Sequence, residues 1–346
     1  MKRQVTLKDI AKKFNVAIST VSRALHDSHE ISSVLKAKIV AFANETAYVP
    51  NVNAQNLKNG HTDLIVVIVP FISSPFFLDF YQELLTSNTE NNYNIILLQS
   101  FNNVEKEAEA LKFALKHKAT ALIICPVTDH SNLELLKNIQ TNLCSVMIFD
   151  RVEHKLDTDK VGVDYCREVY LMANAMNENG CQSILLLCCG NIGGNPKRIK
   201  GYKKAIRKCG HVFDSEKIQS IHYGNPRENI REKIEREIDK YHQLGKKIDG
   251  IISTTDSLSI ATLELIYHRK LSVLHYGFCN SRETFCFSPH LNSIALPARQ
   301  MAMFVWKKLE NRLQDKVDIV PFTTKIIPCL YQSESLADSE REFIVM

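Results

Sequence analysis

The chain changes its hydrophobic pattern near residue 60. Before that point, apolar residues recur three and four positions apart, in two short stripes formed by Ile10, Ala11 and Phe14 and by Val21, Ala24 and Leu25. After it, continuous apolar runs alternate with polar segments of helical length, such as 105–117. The pattern predicts a small helical unit followed by a much larger α/β unit.

The first 49 residues are predicted to form three helices. Thr6 is placed to cap the first helix, with Asp9 three residues later in the capping-box position. A compact turn at 15–17 separates it from a second helix that begins at Ile18, and a third helix runs from about 33 to 46. The third helix is expected to bury Leu35, Ile39 and Phe42. The first two helices then form a helix-turn-helix.

The second helix leaves a short polar face outside its apolar stripe. This face carries Ile18, Ser19, Ser22 and Arg23. An Arg that donates two hydrogen bonds to guanine is the commonest specific contact in the major groove. The face therefore favours a role in reading DNA, and the alternative is a helical bundle used only for dimerisation.

The larger unit is predicted to contain two α/β lobes with parallel sheets, because strands that are apolar throughout are covered on both faces. The predicted strands of the first series are 64–69, 95–98, 121–125 and 146–149, and those of the second are 183–188, 250–253 and 272–278. Lobe one is expected to span about 61–160 and 295–325. Lobe two is expected to span about 161–294 and 326–346.

Candidate ligand-binding residues follow the predicted strand ends, where open α/β sheets bind ligands. The loop 70–77 places the aromatic Phe76 beside small hydroxyls, Asp150 follows the fourth strand, and Arg198 lies where a helix begins. A carboxylate and a guanidinium that face one cleft can bind vicinal hydroxyls. The alternatives are that Phe76 only packs inside and that the charged residues form surface ion pairs.

The charge distribution separates the two units. Residues 1–60 hold nine Lys and Arg against four Asp and Glu, whereas the other 286 residues hold 34 of each. The whole net charge of +5 therefore lies in the segment predicted to contact DNA, and neutralisation of phosphates by Lys and Arg drives binding to duplex DNA.

Several function classes are not supported by the sequence. The ten cysteines form no CxxC pair and lie mostly in apolar runs, so we expect buried thiols and no metal site. No phosphate-binding glycine loop or catalytic motif is recognisable, so we expect neither an enzyme nor a cofactor. No apolar h-region follows Met1-Lys2-Arg3-Gln4 and no apolar run approaches about 18 residues, so we expect a soluble, cytoplasmic protein without a membrane partner.

Four stretches resemble the LacI/GalR (lactose-repressor) family, and the resemblance covers nearly the whole chain. They are Val5-Thr6-Leu7-Lys8-Asp9-Ile10-Ala11, Val16, Ser19-Thr20-Val21-Ser22-Arg23-Ala24-Leu25, and Tyr48-x-Pro50-Asn51-x-x-Ala54-x-x-Leu57. The resemblance implies an N-terminal helix-turn-helix head (1–49) joined by a hinge helix (50–60) to a two-lobed core like the periplasmic binding proteins (61–346).

The resemblance also implies which residues contact DNA. Ile18, Ser19 and Arg23 take the positions that read bases, and Leu57 takes that of a leucine wedged into the minor groove. The full set of expected contacts is Thr6, Ile18, Ser19, Thr20, Ser22, Arg23, Asn51, Ala54 and Leu57. One departure is Ala17, where many members have a capping Ser, so a later helix start capped by Ser19 is left open.

For the effector site, the resemblance implies Ser73, Phe76, Asp150, Arg198, Asp256 and Cys279. Two departures alter the pattern. Thr255 precedes Asp256 where many members have Asn, and Cys279 stands where many members have an Asp that binds the effector. A ligand held by Asp150 and Arg198 is expected, but it need not be a standard hexose.

These features together predict a sequence-specific transcription regulator, a repressor that acts as a homodimer on pseudo-palindromic double-stranded operator DNA. A small-molecule effector, with a sugar or sugar derivative favoured, is expected to bind between the lobes. The alternatives are a nucleobase or nucleoside effector, or a ligand-binding module without gene control.

Overall fold

The structure is a computed structural model of the 346-residue chain. It describes residues 5–25, 28–48, 62–89, 93–224, 228–281, 291–314 and 321–331. The chain divides into two compact units, Met1–Thr62 and Asp63–Met346. We call them the head and the core. The predicted hinge helix lies outside the described residues.

In the described part of the head, residues 5–25 and 28–48, the three predicted helices are present: α1 (Leu7–Phe14), α2 (Ile18–Leu25) and α3 (Ser33–Glu45). Thr6 and Asp9 form the expected capping box, in which the Thr6 hydroxyl accepts from the Asp9 backbone and the Asp9 carboxylate accepts from the Thr6 backbone. Asn15 ends α1 in the left-handed conformation, with φ of 51°, which asparagine tolerates better than most residues. The chain can therefore turn directly into α2.

The possibility of a delayed start for α2 is wrong. The helix begins at Ile18, and the Ala17 carbonyl accepts from Thr20 N (3.0 Å) and Val21 N (3.2 Å). The neighbouring Val16 and Val21 pack in the head's hydrophobic core. This packing fixes where the helix begins although Ala17 offers no side-chain acceptor. Ser19 is consequently a helical residue on the exposed side.

The head buries a small core. Its six buried apolar side chains come from all three helices: Ile10, Ala11, Val21, Ala24, Ile39 and Ala43. Phe14, Leu25, Leu35 and Phe42 are half-buried around them. The predicted apolar stripes therefore pack against one another, and the polar face of α2 remains outside.

Two six-stranded sheets form the core. The first contains β1 (Leu64–Val69), β2 (Asn94–Gln99), β3 (Ala121–Ile124), β4 (Ser145–Asp150), β5 (Asp159–Gly162) and β11 (Thr323–Lys325), in the order β11-β5-β4-β3-β1-β2. All its neighbouring strands are parallel.

The second sheet contains β6 (Ile184–Cys189), β7 (Ile218–Ile221), β8 (Gly250–Ser253), β9 (Leu274–Phe278), β10 (Asn292–Ala295) and β12 (Cys329–Tyr331). Their order is β12-β10-β9-β8-β6-β7. Only the edge strand β12 is antiparallel to its neighbour, β10.

Helices cover both faces of each sheet. They are α4 (Pro75–Ser87), α5 (Val104–Lys116), α6 (Leu133–Asn142), α7 (Tyr165–Glu178), α8 (Asn195–Lys208), α9 (Ile230–Gln243), α10 (Asp256–Arg269) and α11 (Ala298–Gln314). In β1, Ile65 and Val67 join one hydrophobic cluster, while Val66 and Ile68 join another on the opposite face. This double coverage explains the uninterrupted apolar runs.

The chain passes between the sheets three times, after β5, β10 and β11. The boundary expected at 160 falls inside β5, because β5 stays paired with β4 as far as Gly162. Sequence patterns missed β5, β7, β10, β11 and β12. These strands are three or four residues long, and all but β12 contain polar residues. They therefore lack the long apolar run that marked the others.

Candidate functional site

A cleft lies between the two lobes of the core, at the carboxyl ends of the strands. Four of the six residues expected to bind an effector line it: Phe76, Asp150, Arg198 and Asp256. The cavity between them has a volume of about 50 Å³, which is below the roughly 300–1,000 Å³ of pockets that enclose small ligands. The lobes therefore stand close together, with the polar side chains already engaged.

Asp150 ends β4 in an unusual backbone conformation. Its φ is +63°, a region that non-glycine residues seldom occupy and that concentrates at functional sites. Its Oδ1 accepts a short hydrogen bond from the Tyr165 hydroxyl, and the Cys125 thiol lies 3.5 Å from Oδ2. Because Tyr165 belongs to lobe two, this contact joins the lobes across the cleft.

Arg198 lies in the first turn of α8 and is almost fully buried, with 2% of its surface exposed. Its guanidinium carbon is 3.9 Å from the centre of the Tyr165 ring, and Nη1 donates to the Gly193 carbonyl at 3.0 Å. Its Nε is buried without a hydrogen-bond acceptor among the described residues. A buried donor without an acceptor is costly, so a ligand oxygen in the cleft would relieve that cost.

Asp256 is the first residue of α10, after the capping Thr255. Its Oδ1 accepts from the Asn280 backbone at 2.6 Å, and its Oδ2 accepts from the Ser74 hydroxyl at 2.9 Å. Burial raises the pKa of this carboxyl to about 6, although both hydrogen bonds lower it. Since Ser74 belongs to lobe one, Asp256 forms a second contact between the lobes.

Arg151 follows Asp150, but its hydrogen bonds go to neighbouring loops of lobe one. Its guanidinium donates to the Pro126 and Val127 carbonyls and to Asn102 Oδ1, at 2.9, 3.1 and 2.8 Å. It thereby ties the loops that follow β2 and β3 to the end of β4. We interpret it as a residue that positions Asp150.

The structure does not bring Ser73 and Cys279 into the lining of the cavity. Ser74 takes the expected place of Ser73, because α4 starts after Ser74 and leaves the Ser73 side exposed. Cys279 is buried in a small apolar cluster with Leu263 and Leu291 and does not line the cavity, although its neighbour Phe278 does. A buried thiol therefore stands where many family members have an Asp that binds the effector.

Phe71, from the expected loop 70–77, lines the cavity, and several lining residues were not expected from the sequence, including Asn102, Tyr165 and Tyr223. The Phe71 and Tyr223 rings are stacked with centres 6.4 Å apart, and the Tyr223 hydroxyl lies 2.7 Å from Thr255 Oγ1. Tyr223 follows the missed strand β7. Recognising that strand would have identified it, since Asp150 was found by the same reasoning.

The rim of the cleft adds backbone contacts between the lobes. Asn191 Nδ2 donates to the Asn102 carbonyl at 3.1 Å, and Gly193 N donates to the Val127 carbonyl at 2.8 Å. A side chain on Gly193 would collide with Asp129, because a Cβ there would lie 2.5 Å from Oδ1. Gly193 is therefore closely packed at the junction of the lobes, whereas Gly194 has a φ of +77°, a conformation that favours glycine.

The head presents the expected face on α2. Ile18 is 48% exposed, Ser19 and Arg23 are exposed, and Thr20 and Ser22 are half-buried. Arg23 forms an exposed ion pair with Glu30 at 2.6 Å, which is weak enough to exchange for a DNA contact. Ile18 and Ser22 are about one helical turn apart, as are Ser19 and Arg23.

The expected DNA contacts outside α2 are Thr6, Asn51, Ala54 and Leu57. The Thr6 hydroxyl donates to Asp9 Oδ2 at 2.6 Å, so the capping box already uses it. Asn51, Ala54 and Leu57 lie outside the described residues. Their roles stay predictions.

Among the described residues, no helix is long and apolar enough to cross a membrane. The same residues contain no group of three or more His, Cys, Asp or Glu side chains arranged to hold a metal ion. Of the eight described cysteines, all with free thiols, six are buried.

Comparison with known protein families gives two matches. The family described as bacterial regulatory proteins, lacI family, matches residues 6–51. The family described as periplasmic binding proteins and sugar binding domain of LacI family matches residues 62–235.

Individual proteins agree with these matches. The transcriptional regulator DegA of Bacillus subtilis is 25% identical over 309 residues, covering 86% of this chain and 88% of that protein. A LacI-family transcriptional regulator from Silicibacter pomeroyi has a similar structure, with a TM-score of 0.76 at 19% identity over 94% of this chain and 98% of that one. The Lac repressor dimer bound to operator and the anti-inducer ONPF gives a TM-score of 0.74 at 16% identity, over 95% and 98%.

Proposed function

Because this chain belongs to the LacI family of bacterial regulatory proteins and is a DNA-binding transcriptional regulator with a ligand-binding domain, we propose that it is a repressor under effector control. The proposed DNA target is a pseudo-palindromic operator bound by a homodimer, in which each head places α2 in a major groove. The proposed effector binds in the cleft between the core lobes.

The convergence of Asp150, Arg198 and Asp256 in one interlobe cleft carries the effector proposal. Two carboxylates accept hydrogen bonds from hydroxyl groups, and a guanidinium donates to their oxygens. Phe76 lines the cavity but is only 2% exposed, so a sugar ring packs against it only when the lobes separate. This combination favours a sugar or sugar derivative that carries several hydroxyls.

A nucleobase or nucleoside is the second candidate. The stacked rings of Phe71 and Tyr223 at the cavity favour it, because a flat heterocycle can bind against an aromatic face. The two classes can be separated by comparing binding of sugars and nucleosides to Tyr223→Leu. A nucleoside would lose affinity there, whereas a sugar held by Asp150 and Arg198 would keep it.

The proposed mechanism is a linkage between the cleft and the operator. A ligand that enters must separate the Tyr165–Asp150 and Ser74–Asp256 contacts, so it favours a different lobe arrangement. We propose that this arrangement changes whether the segment 50–60 orders on DNA. The ligand can shift operator binding only by its difference in affinity for the two arrangements.

Selection of duplexes from sheared genomic DNA by the purified full-length protein tests the regulator proposal. We expect enrichment of one shared motif with two-fold symmetry, and the genes beside it nominate the effector. A second selection in the presence of cell extract supplies a corepressor if one is needed. If neither selection enriches a shared motif, the proposal of operator binding is wrong.

A further inference from the structure

Helix α8 carries an unusual concentration of positive charge. Its 14 residues include seven Lys and Arg and no Asp or Glu, although residues 61–346 as a whole hold equal numbers of the two kinds. Arg198 is buried in the cleft, so it does not contribute to the outer surface. We call Lys200, Lys203, Lys204 and Arg207 the basic face of α8.

The basic face lines a surface groove of about 460 Å³ together with Pro196 and Ile199. Lys200, Lys204 and Arg207 are exposed and form no ion pair within the described part of the chain. Lys203 lies over the Phe213 ring at 4.5 Å. Like charges held three and four residues apart on a helix repel one another, so an acidic partner would stabilise this face.

The chain itself contains a segment of matching charge. Residues 332–346, which we call the C-terminal segment, hold four acidic residues and one Arg. Glu334 and Asp338 are four residues apart, as are Lys200 and Lys204 of the basic face. The side chains of the segment carry a net charge of −3, opposite to that of the basic face, so the two attract each other.

The fold allows this segment to reach α8. Strand β12 is antiparallel to β10, with Ala295 paired to Cys329 and Ser293 to Tyr331. The chain after Tyr331 therefore starts at the amino edge of the second sheet. Helix α8 follows β6 and runs back toward that same edge, as crossover helices do.

The distance is short compared with the available chain. β12 and β6 are four steps apart in the strand order, or roughly 19 Å at about 4.8 Å per step. A segment of 15 residues can span up to about 50 Å. We propose that the C-terminal segment binds the basic face of α8 in the same chain, through its carboxylates.

Carbodiimide cross-linking of the full-length protein tests this directly, because the reagent joins only a carboxylate and an amine in contact. Mass spectrometry should find Glu334, Asp338 or Glu342 joined to Lys200 or Lys204. We expect these products to exceed those with Lys112 and Lys116 about tenfold. They should disappear in 1 M salt, where the screening length falls to about 3 Å.

Lys112 and Lys116 are a matched control, since both are exposed and are also four residues apart on a helix, α5. Lys200→Glu/Lys204→Glu should lose the cross-links, whereas Lys112→Glu/Lys116→Glu should keep them. Adding Glu334→Lys/Asp338→Lys to the α8 variant should restore them, with amine and carboxylate exchanged. Circular dichroism verifies that each variant is folded.

Three results would overturn the proposal. They are cross-links spread equally over α5 and α8, a failure of the exchanged charges to restore them, and products that join ¹⁵N-labelled to unlabelled chains in a mixture. None of these outcomes bears on operator binding, so this inference stands apart from the proposed function.

Discussion

The DNA-reading face and the cleft are built in opposite ways. The exposed positions of α2 lie within eight consecutive residues, and a single helix sets their spacing. The cleft instead joins residues far apart in the chain, such as Ser74 and Asp256, which are 182 positions apart. A site on one helix depends on local geometry, whereas the cleft depends on the relative position of two lobes. A small molecule can therefore change the second without disturbing the first.

The largest expected effect is the unfolding of the head while the core stays folded. Ile39 is fully buried in the six-residue core of the head, so Ile39→Ala should destabilise the head by about 2–4 kcal/mol. Operator binding should be lost while ligand binding to the core persists, as measured by calorimetry. Val34→Ala, at a position 66% exposed on the same helix, should leave both unchanged. Equal loss of ligand binding in Ile39→Ala would show that the units are not independent.

The next prediction concerns base reading by α2. Arg23→Ala should lower discrimination between the operator and altered sites by ~10–100-fold, or about 1–3 kcal/mol. Its exposed ion pair with Glu30 adds little to folding. Lys12→Ala, an exposed α1 residue, should weaken binding to all duplexes alike. Competition binding assays at fixed salt measure both, and an Arg23→Ala protein with full discrimination would contradict this assignment.

The cleft should show its own pH dependence. The pKa of Asp256 is about 6 in the folded protein, raised by burial from 3.8. The folded state therefore holds a proton that the unfolded chain has released. Stability from this group is present below about pH 4 and is lost as pH rises through 6.

Asp256→Asn should remove that contribution, which is on the order of 3 kcal/mol for a rise of about two pKa units. The free energy of unfolding of the native protein, relative to Asp256→Asn, should rise as pH falls from 7 to 4. Asp63→Asn, at an exposed position, serves as the control in the same denaturant titrations. A pH-independent difference for Asp256→Asn would mean that this carboxyl is not desolvated.

The smallest predicted effect concerns the contact that joins the lobes. Tyr165→Phe removes the hydroxyl that donates to Asp150, so a ligand no longer has to displace it. We expect ligand affinity to increase about three- to tenfold. Tyr202→Phe removes another buried hydroxyl of lobe two, which donates to the Ile184 carbonyl at 2.7 Å, and should leave ligand affinity unchanged. Weaker binding by Tyr165→Phe would instead make the phenol part of the ligand site.

The same contrast explains what the sequence could predict. The capping pair Thr6 and Asp9 and the uninterrupted run of β1 are local patterns, and both appear in the structure as expected. Asp150 and Arg198 were found because strand ends and helix starts are also local. Their placement in one cleft, however, depends on how two sheets face each other. Spacing along the chain does not contain that information.

The errors have the same origin. Tyr223 was missed because β7 is short and half-exposed, so its strand lacks an apolar signature. Cys279 was expected at the cleft from resemblance alone, but it packs against Leu263 and Leu291. A thiol does not require the solvent or ligand contact that a carboxylate would. A substitution at this position can therefore move the side chain from the cleft into the apolar core without changing the course of the backbone.

The most direct measurement of the central claim is the operator affinity of the full-length protein as a function of effector concentration, in the native chain and in Arg198→Ala. The native protein should change its operator Kd by at least about tenfold, a coupling of ~1.4 kcal/mol. Arg198→Ala should match the native Kd without effector and show no response, while Arg207→Ala on the same helix should respond normally. If Arg198→Ala responds with an unchanged effector midpoint, the cleft does not control DNA binding.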